Sequence, residues 1–384
     1  MQPDGSAQAA DAATATATAT AVGGRTRTAV IDCDVHSKIP NDVLLRYLPA
    51  RWSDYFRDYG YRWPNEIAYF STRPRGGGAA RTDAFPPSGA PPGGDPEFTR
   101  LQLLDEWDLE LAVVNPIDQL ILSNGPGELA ARICSAVNDW TLDAFIRFDP
   151  RFVGSLLVPY DDAALSLVEL ERLAGTPGFV QVLVNSRTRD PLGNRRYWPI
   201  YEAAEALGLP VASHVGGTGG HTMTGAGWPS YYFEDHVGFS QAHQAQVISL
   251  VCEGVFERFP GLRFVVQESG LAWLAPLMWR LDRSWKQLRS EVPHLDRLPS
   301  EVIREHIWFT TQPIEEPERP EQFGQFLEQL DMNDHLLFSS DYPHWDFDAP
   351  DSAIPHSVPK PVRDAIMAGN ARALYGLPEP GAKA

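Results

Sequence analysis

Cysteine is scarce in this 384-residue chain, which has three. Cys33, Cys134 and Cys252 stand far apart, with no paired or metal-type spacing. That excludes a disulfide scaffold and suits a reducing cytoplasm. Long apolar runs are also missing: none reaches the ~20 residues of a membrane helix. Positive charge is short. Lys and Arg number 32 against 50 Asp and Glu, a formal net charge of −18. Nucleic acid and anionic membrane both require a basic face, so neither is an expected partner. No G-x-G-x-x-G follows an apolar run, so a dinucleotide fold has no support. The run Gly216-Gly217-Thr218-Gly219-Gly220 lacks the Lys-Ser/Thr of a phosphate loop and reads as an active-site loop. The N-terminus opens on Asp4, and its Ala-Thr alternation has no Leu-rich core, so it does not read as a secretion signal. Residues 1–27 read as a disordered tail, and 379–384 as a short C-terminal one.

What is present is globular. The hydrophobic fraction of 43% matches a chain with a real core. Eight apolar, β-branched runs follow one another: Thr28–His36, Leu111–Asn115, Phe152–Pro159, Phe179–Asn185, Pro210–Val215, Leu262–Glu268, Ile307–Gln312 and Leu336–Tyr342. Helical spacing fills nearly every interval, as in Glu128–Phe148, Ala163–Ala174, Trp198–Leu207, Phe239–Phe259, Leu271–Leu288, Arg319–Leu330 and Val362–Tyr375. Asp161 and Asp162 are placed to cap one helix, and Gly208 to end another. Alternation of this kind predicts a parallel sheet, and eight units predict a closed (β/α)8 barrel over residues 28–378. The stretch after the first strand reads as irregular. The Pro/Gly-dense segment within it, residues 74–97, reads as an insertion outside the core.

Three polar clusters close apolar runs: Asp32-Cys33-Asp34-Val35-His36, Ser213-His214 and Ser339-Ser340-Asp341. They fall at the C-terminal ends of the first, fifth and eighth strands, where a barrel builds its active site. Residues two apart on a strand share a face, so Asp34 and His36 point inward together and Asp32 lies deeper. Strands one and eight are neighbours in a closed barrel, and strand five faces strand one. Asp34, His36, His214 and Asp341 therefore converge on one divalent ion, and two carboxylates with two imidazoles suit Zn, Mn or Fe. Zn is the expected ion. His236, which follows the aromatic stretch Trp228–Asp235 in the insertion after the fifth strand, is a candidate acid/base or substrate contact. His221 in the same loop has weaker support. His344 is placed to orient a ligand, and Trp345-Asp346-Phe347-Asp348 to shape the rim.

These motifs, together with Gly369-Asn370-Ala371-Arg372-Ala373-Leu374-Tyr375, resemble the amidohydrolase superfamily from Ala29 to about Leu377. The resemblance is greatest to the branch containing aminocarboxymuconate-semialdehyde decarboxylase and γ-resorcylate decarboxylase. It implies a distorted (β/α)8 TIM barrel with loop insertions, often a homodimer. It also implies one metal on Asp34, His36, His214 and Asp341. The fourth strand has no Lys for a bridging carbamate, which argues against a second metal. Many decarboxylases of the branch carry an acid/base His at the end of strand six. Here Glu268 stands about there, and it is the candidate for proton transfer.

A small-molecule carboxy-lyase is therefore the first expectation. A metal-dependent hydrolase of an amide, ester or lactone is the alternative. In it Asp341 takes a proton from an activated water, and Glu268 or His236 protonates the leaving group. A non-catalytic binding barrel is the third. Because the Ala-Thr tail offers no apolar face to bury, deleting residues 1–27 is expected to leave the melting temperature and turnover nearly unchanged. A large loss of either would mean that the tail packs on the barrel or on a second subunit.

Overall fold

A computed structural model describes residues 29–60, 79–118, 127–216, 222 and 224–377. The tail before Arg27, His221 and most of the Gly216–Gly220 run lie outside the described residues. The eight expected strands are present in order: β1 Ile31–Ser37, β2 Leu111–Pro116, β3 Phe152–Leu157, β4 Phe179–Asn185, β5 Val211–His214, β6 Phe264–Gln267, β7 Ile307–Thr310 and β8 Leu336–Leu337. All neighbours pair in parallel, in the order β1 to β8. The strands are apolar and buried almost throughout because helices cover the outer face and side chains fill the inner one. A ladder of edge-to-face rings, Trp140 to Phe145 and Phe145 to Phe152 with centroids 5.4 and 5.2 Å apart, seals one helix onto β3.

The barrel closes between β8 and β1 through the loop that follows β8. Cys33 N donates to Phe338 O at 2.9 Å, His36 N to Tyr342 O at 2.7 Å, and Asp341 N to Asp34 O at 3.1 Å. The eighth strand is therefore much shorter than Leu336–Tyr342. Asp341 has φ +61°, which breaks the pleat, so Phe338–Tyr342 tracks β1 as a loop.

Helix ends follow local chemistry. Asp162 caps Ala163–Leu173 by accepting from Leu165 N, and Gly208 ends Trp198–Leu207 in the left-handed conformation. Two further expectations needed revision. Residues after β1 are not irregular: Asn41–Tyr47 and Ala50–Tyr59 are helices that bury Leu44 and Phe56. Pro40 and Pro49 immediately precede them and so read as breakers, yet a proline at a helix start costs no internal hydrogen bond. The long Phe239–Phe259 helix divides into Phe239–Cys252 and Val255–Arg258 at left-handed Gly254. The described part of the Pro/Gly-rich insertion lies outside the main hydrophobic cluster but is packed against the barrel mouth. Ala79, Ala80 and Ala84 are buried, and Arg81 N donates to Pro343 O at 2.8 Å.

The insertion also braces β1. Lys38 N donates to Gly93 O at 3.2 Å. Gly93 has φ +74°, and a Cβ there would stand 2.3 Å from the carbonyl oxygen of His36. Gly93→Ala is therefore expected to cost ~1–3 kcal/mol, since the collision is with backbone. A denaturant titration checks this, and an unchanged midpoint would show that the insertion does not brace the strand end.

Candidate metal centre

Five side chains meet at the C-terminal mouth of the barrel. Asp34, His36, His214, Glu268 and Asp341 each offer one donor atom, and these atoms lie within 4.8 Å of one another. His36 Nε2 is 2.9 Å from Asp341 Oδ1 and 3.6 Å from Asp34 Oδ1. His214 Nε2 is 3.2 Å from Asp34 Oδ2 and 3.0 Å from Glu268 Oε2. All five are buried.

Local structure aims them. Asp34 and His36 share the inward face of β1, and His36 stands beside Asn115 in the β1–β2 register. His214 ends β5 opposite Gln267 of β6, which puts Glu268 one residue beyond. Glu268 and Asp341 both have positive φ, +53° and +61°. Neither is glycine, and each such residue costs ~1–3 kcal/mol unless its surroundings impose it. The left-handed backbone turns both carboxylates toward the axis.

Both imidazoles turn one nitrogen to the centre. His36 Nδ1 is 3.0 Å from Asn115 O, and His214 Nδ1 is 2.6 Å from Val215 O. A carbonyl only accepts, so each Nδ1 carries the proton and donates, and each Nε2 is turned to the centre. Both Nε2 atoms, Asp34 Oδ2 and Asp341 Oδ2 are buried without a hydrogen-bond partner. Among the described residues no arginine or lysine pairs with the three carboxylates. Anionic oxygens gathered around imidazole nitrogens in a dry site are costly unless a cation joins them. The donor set fits a single divalent ion, with hard oxygens and borderline nitrogens.

Around this centre, Asp341 Oδ1 accepts from His344 Nδ1 at 2.8 Å. Burial alone would pull the His344 imidazole down, but the Asp341 carboxylate outweighs it and raises it to about 9. Burial and the Asp341 charge push the Glu268 carboxyl up, against the pull of the nearby His214 imidazole. Asp32 lies deeper, as expected. Its carboxylate accepts from Ser340 N at 3.0 Å and Asp34 N at 3.1 Å, and burial raises it to about 7 despite those bonds.

His236 is not among the five. It lies on the short helix Tyr232–Val237. Its Nε2 is 2.8 Å from Asp346 Oδ2, and its ring packs against Tyr232, Phe239 and Trp345. Asp346 also accepts from Gln312 Nε2 at 2.9 Å. The buried Arg187–Asp235 pair, 2.9 Å apart, ties the same helix to the end of β4. Reading the sequence did not single out Arg187 or Asn115. An Asn closing an otherwise apolar strand at the catalytic end was the available signal for the second.

The amidohydrolase family model matches residues 31–377. A γ-resorcylate decarboxylase of Polaromonas sp. strain JS666 is 26% identical over 309 residues, 74% of this chain and 88% of that protein. A 2-keto-4-carboxy-3-hexenedioate hydratase of Sphingobium sp. is 25% identical over 64% of this chain and 69% of that protein. A dihydroxybenzoic acid decarboxylase structure from Polaromonas sp. JS666, with bound manganese and 2-nitroresorcinol, has a TM-score of 0.63 at 20% identity, covering 91% of this chain and 98% of that one.

His214→Ala is expected to weaken metal binding by more than the ~10–100-fold that loss of an outer partner costs. Elemental analysis after gel filtration checks this, and full occupancy in the variant would remove His214 from the site. With strand order, barrel closure and family match in agreement, the chain belongs to the amidohydrolase family.

Proposed function

We propose that this protein is a mononuclear metal-dependent carboxy-lyase that removes CO2 without oxidation from a small cyclic or aromatic carboxylic acid. The observation that carries it is the pair of imidazoles whose Nδ1 atoms are committed to carbonyls while both Nε2 atoms face three buried carboxylates. Decarboxylase relatives support the reaction type. Asp34, His36, His214 and Asp341 would hold the ion, and we assign zinc to it. When bound, the ion supplies an electrophilic centre that takes a substrate carboxylate and a neighbouring hydroxyl.

The chain's own residues do the rest. Glu268 gives its proton to the ring carbon that bears the carboxylate. The bond from that carbon to the carboxyl carbon then breaks, its electron pair returns to the ring, and CO2 leaves. Glu268 regains its proton from solvent. His344 holds Asp341 in place. His236, anchored by Asp346, is the alternative acid/base. The three cysteines are free, which suits a cytoplasmic location, and the family resemblance suits a homodimer.

A second reading uses the same residues for hydrolysis through an activated water. In it Asp341 takes a proton from an attacking water, and Glu268 or His236 protonates the leaving group of an amide, ester or lactone. A panel of hydroxybenzoates, unsaturated acids, amides and lactones, assayed for CO2 release and for acid release, separates the two readings.

Glu268→Gln keeps size and shape but gives up the exchangeable proton. Turnover on the active panel member is expected to fall ~10²–10⁴-fold while metal content is retained. Near-normal turnover, or loss of the metal, would show Glu268 to be a spectator or a ligand and transfer the role to His236.

A further inference from the structure

We infer that Asn115 is a positioning residue for two metal ligands at once, and that it is oriented by a directed hydrogen-bond relay from Tyr375 in the last helix. The inference rests on the metal reading above but not on the decarboxylase reading. Asn115 closes β2 and is fully buried. Its side-chain amide donates to Asp34 Oδ1 at 2.7 Å and to Cys33 O at 3.3 Å. Its main-chain oxygen accepts from His36 Nδ1 at 3.0 Å. One non-ligand residue thus occupies one oxygen of Asp34 and leaves Oδ2 to face the centre. It also decides which nitrogen of His36 carries the proton.

An asparagine amide is symmetric in shape, so something must fix which end points at Asp34. Asn115 Oδ1 accepts from the Ser155 hydroxyl and from Gln181 Nε2 at 3.2 Å. Gln181 Nε2 also donates to Ser155 Oγ at 2.8 Å. Gln181 Oε1 in turn accepts from the Tyr375 hydroxyl at 2.8 Å. Every donor points the same way: Tyr375 to Gln181, Gln181 and Ser155 to Asn115, Asn115 to Asp34. Reversing the Asn115 amide would set its N–H groups against the Gln181 N–H and its oxygen against the Asp34 carboxylate. The relay keeps a donor on Asp34 Oδ1 and so holds the carboxylate with Oδ2 turned to the centre. Ser155, Gln181 and Asn115 come from adjacent strands β3, β4 and β2, so part of the barrel interior is polar because it is this relay.

The test measures metal affinity rather than activity. Apo-protein is titrated with Mn²⁺ and with Zn²⁺ against a competing chelator, alongside the melting temperature of the apo form. Asn115→Asp keeps the shape but offers Asp34 no amide donor, and it should weaken both metals ~10–100-fold, as loss of an outer-shell partner does. Asn115→Ser, which is smaller and can still donate, should recover part of that loss. Tyr375→Phe, remote from the centre, should weaken affinity in the same direction by less, with little change in apo melting. A purely structural role would instead lower apo melting in all three and leave affinity unchanged. Unchanged affinity in folded Asn115→Asp overturns the inference. If that variant does not fold, unchanged affinity in Tyr375→Phe overturns the relay, and unchanged affinity in folded Asn115→Ser with lowered apo melting overturns the positioning role. Failure of the wild type to bind either metal would instead refute the metal reading itself.

Discussion

Three carboxylates and two imidazoles brought into one dry space at the mouth of a barrel set the terms for everything around them. In a low-dielectric interior the carboxylates repel one another, Asp341 acting against both Asp34 and Glu268. The structure answers this in two ways. Polar groups are spent on one atom of four of the five donors: Asn115 on Asp34, His344 on Asp341, and carbonyls on both Nδ1 atoms. The second atom of each of these four is left without a hydrogen-bond partner. A cation at the centre completes the arrangement, and the fold tolerates left-handed backbone at Glu268 and Asp341 to keep the oxygens aimed there.

The elements that carry these groups are held from outside the barrel as well as from within. The Pro/Gly-rich insertion bonds to the loop after β8 and presses Gly93 against the His36 carbonyl. The roof helix Tyr232–Val237 is tied to the β4 end by Arg187–Asp235 and to the β8 loop by His236–Asp346. Loops supply the pocket, and the strands supply the registration. This division lets one barrel serve decarboxylase and hydratase relatives alike.

Much of the site was legible because its residues sit where a local pattern changes. Asp34 and His36 interrupt a β-branched run with period two, and His214 and Asp341 follow apolar runs directly. Glu268 was legible by its place at the end of strand six, although its approach to His214 at 3.0 Å was not. Asn115 went unread because a single Asn after an apolar run looks like any strand end. The helices at Asn41–Tyr47, Ala50–Tyr59 and Pro299–His306 went unread because each begins at or just after a proline. The helix at Tyr232–Val237 is too short to show a period.

By itself the sequence determined the alternation of eight apolar strands with helices, and with it the barrel, because burial on both faces forces that composition on each strand. It also determined the chemical types of the donors. Only the tertiary structure decided that Asp341 reaches the centre from a loop zipped to β1 rather than from a strand. It alone decided which nitrogen of each histidine faces inward and which oxygen of Asp34 is free. Those choices belong to hydrogen-bond partners distant in sequence: Asn115 is 79 residues from His36, and Tyr375 is 194 from Gln181. No local pattern encodes such partners, since they are neighbours only once the barrel has closed.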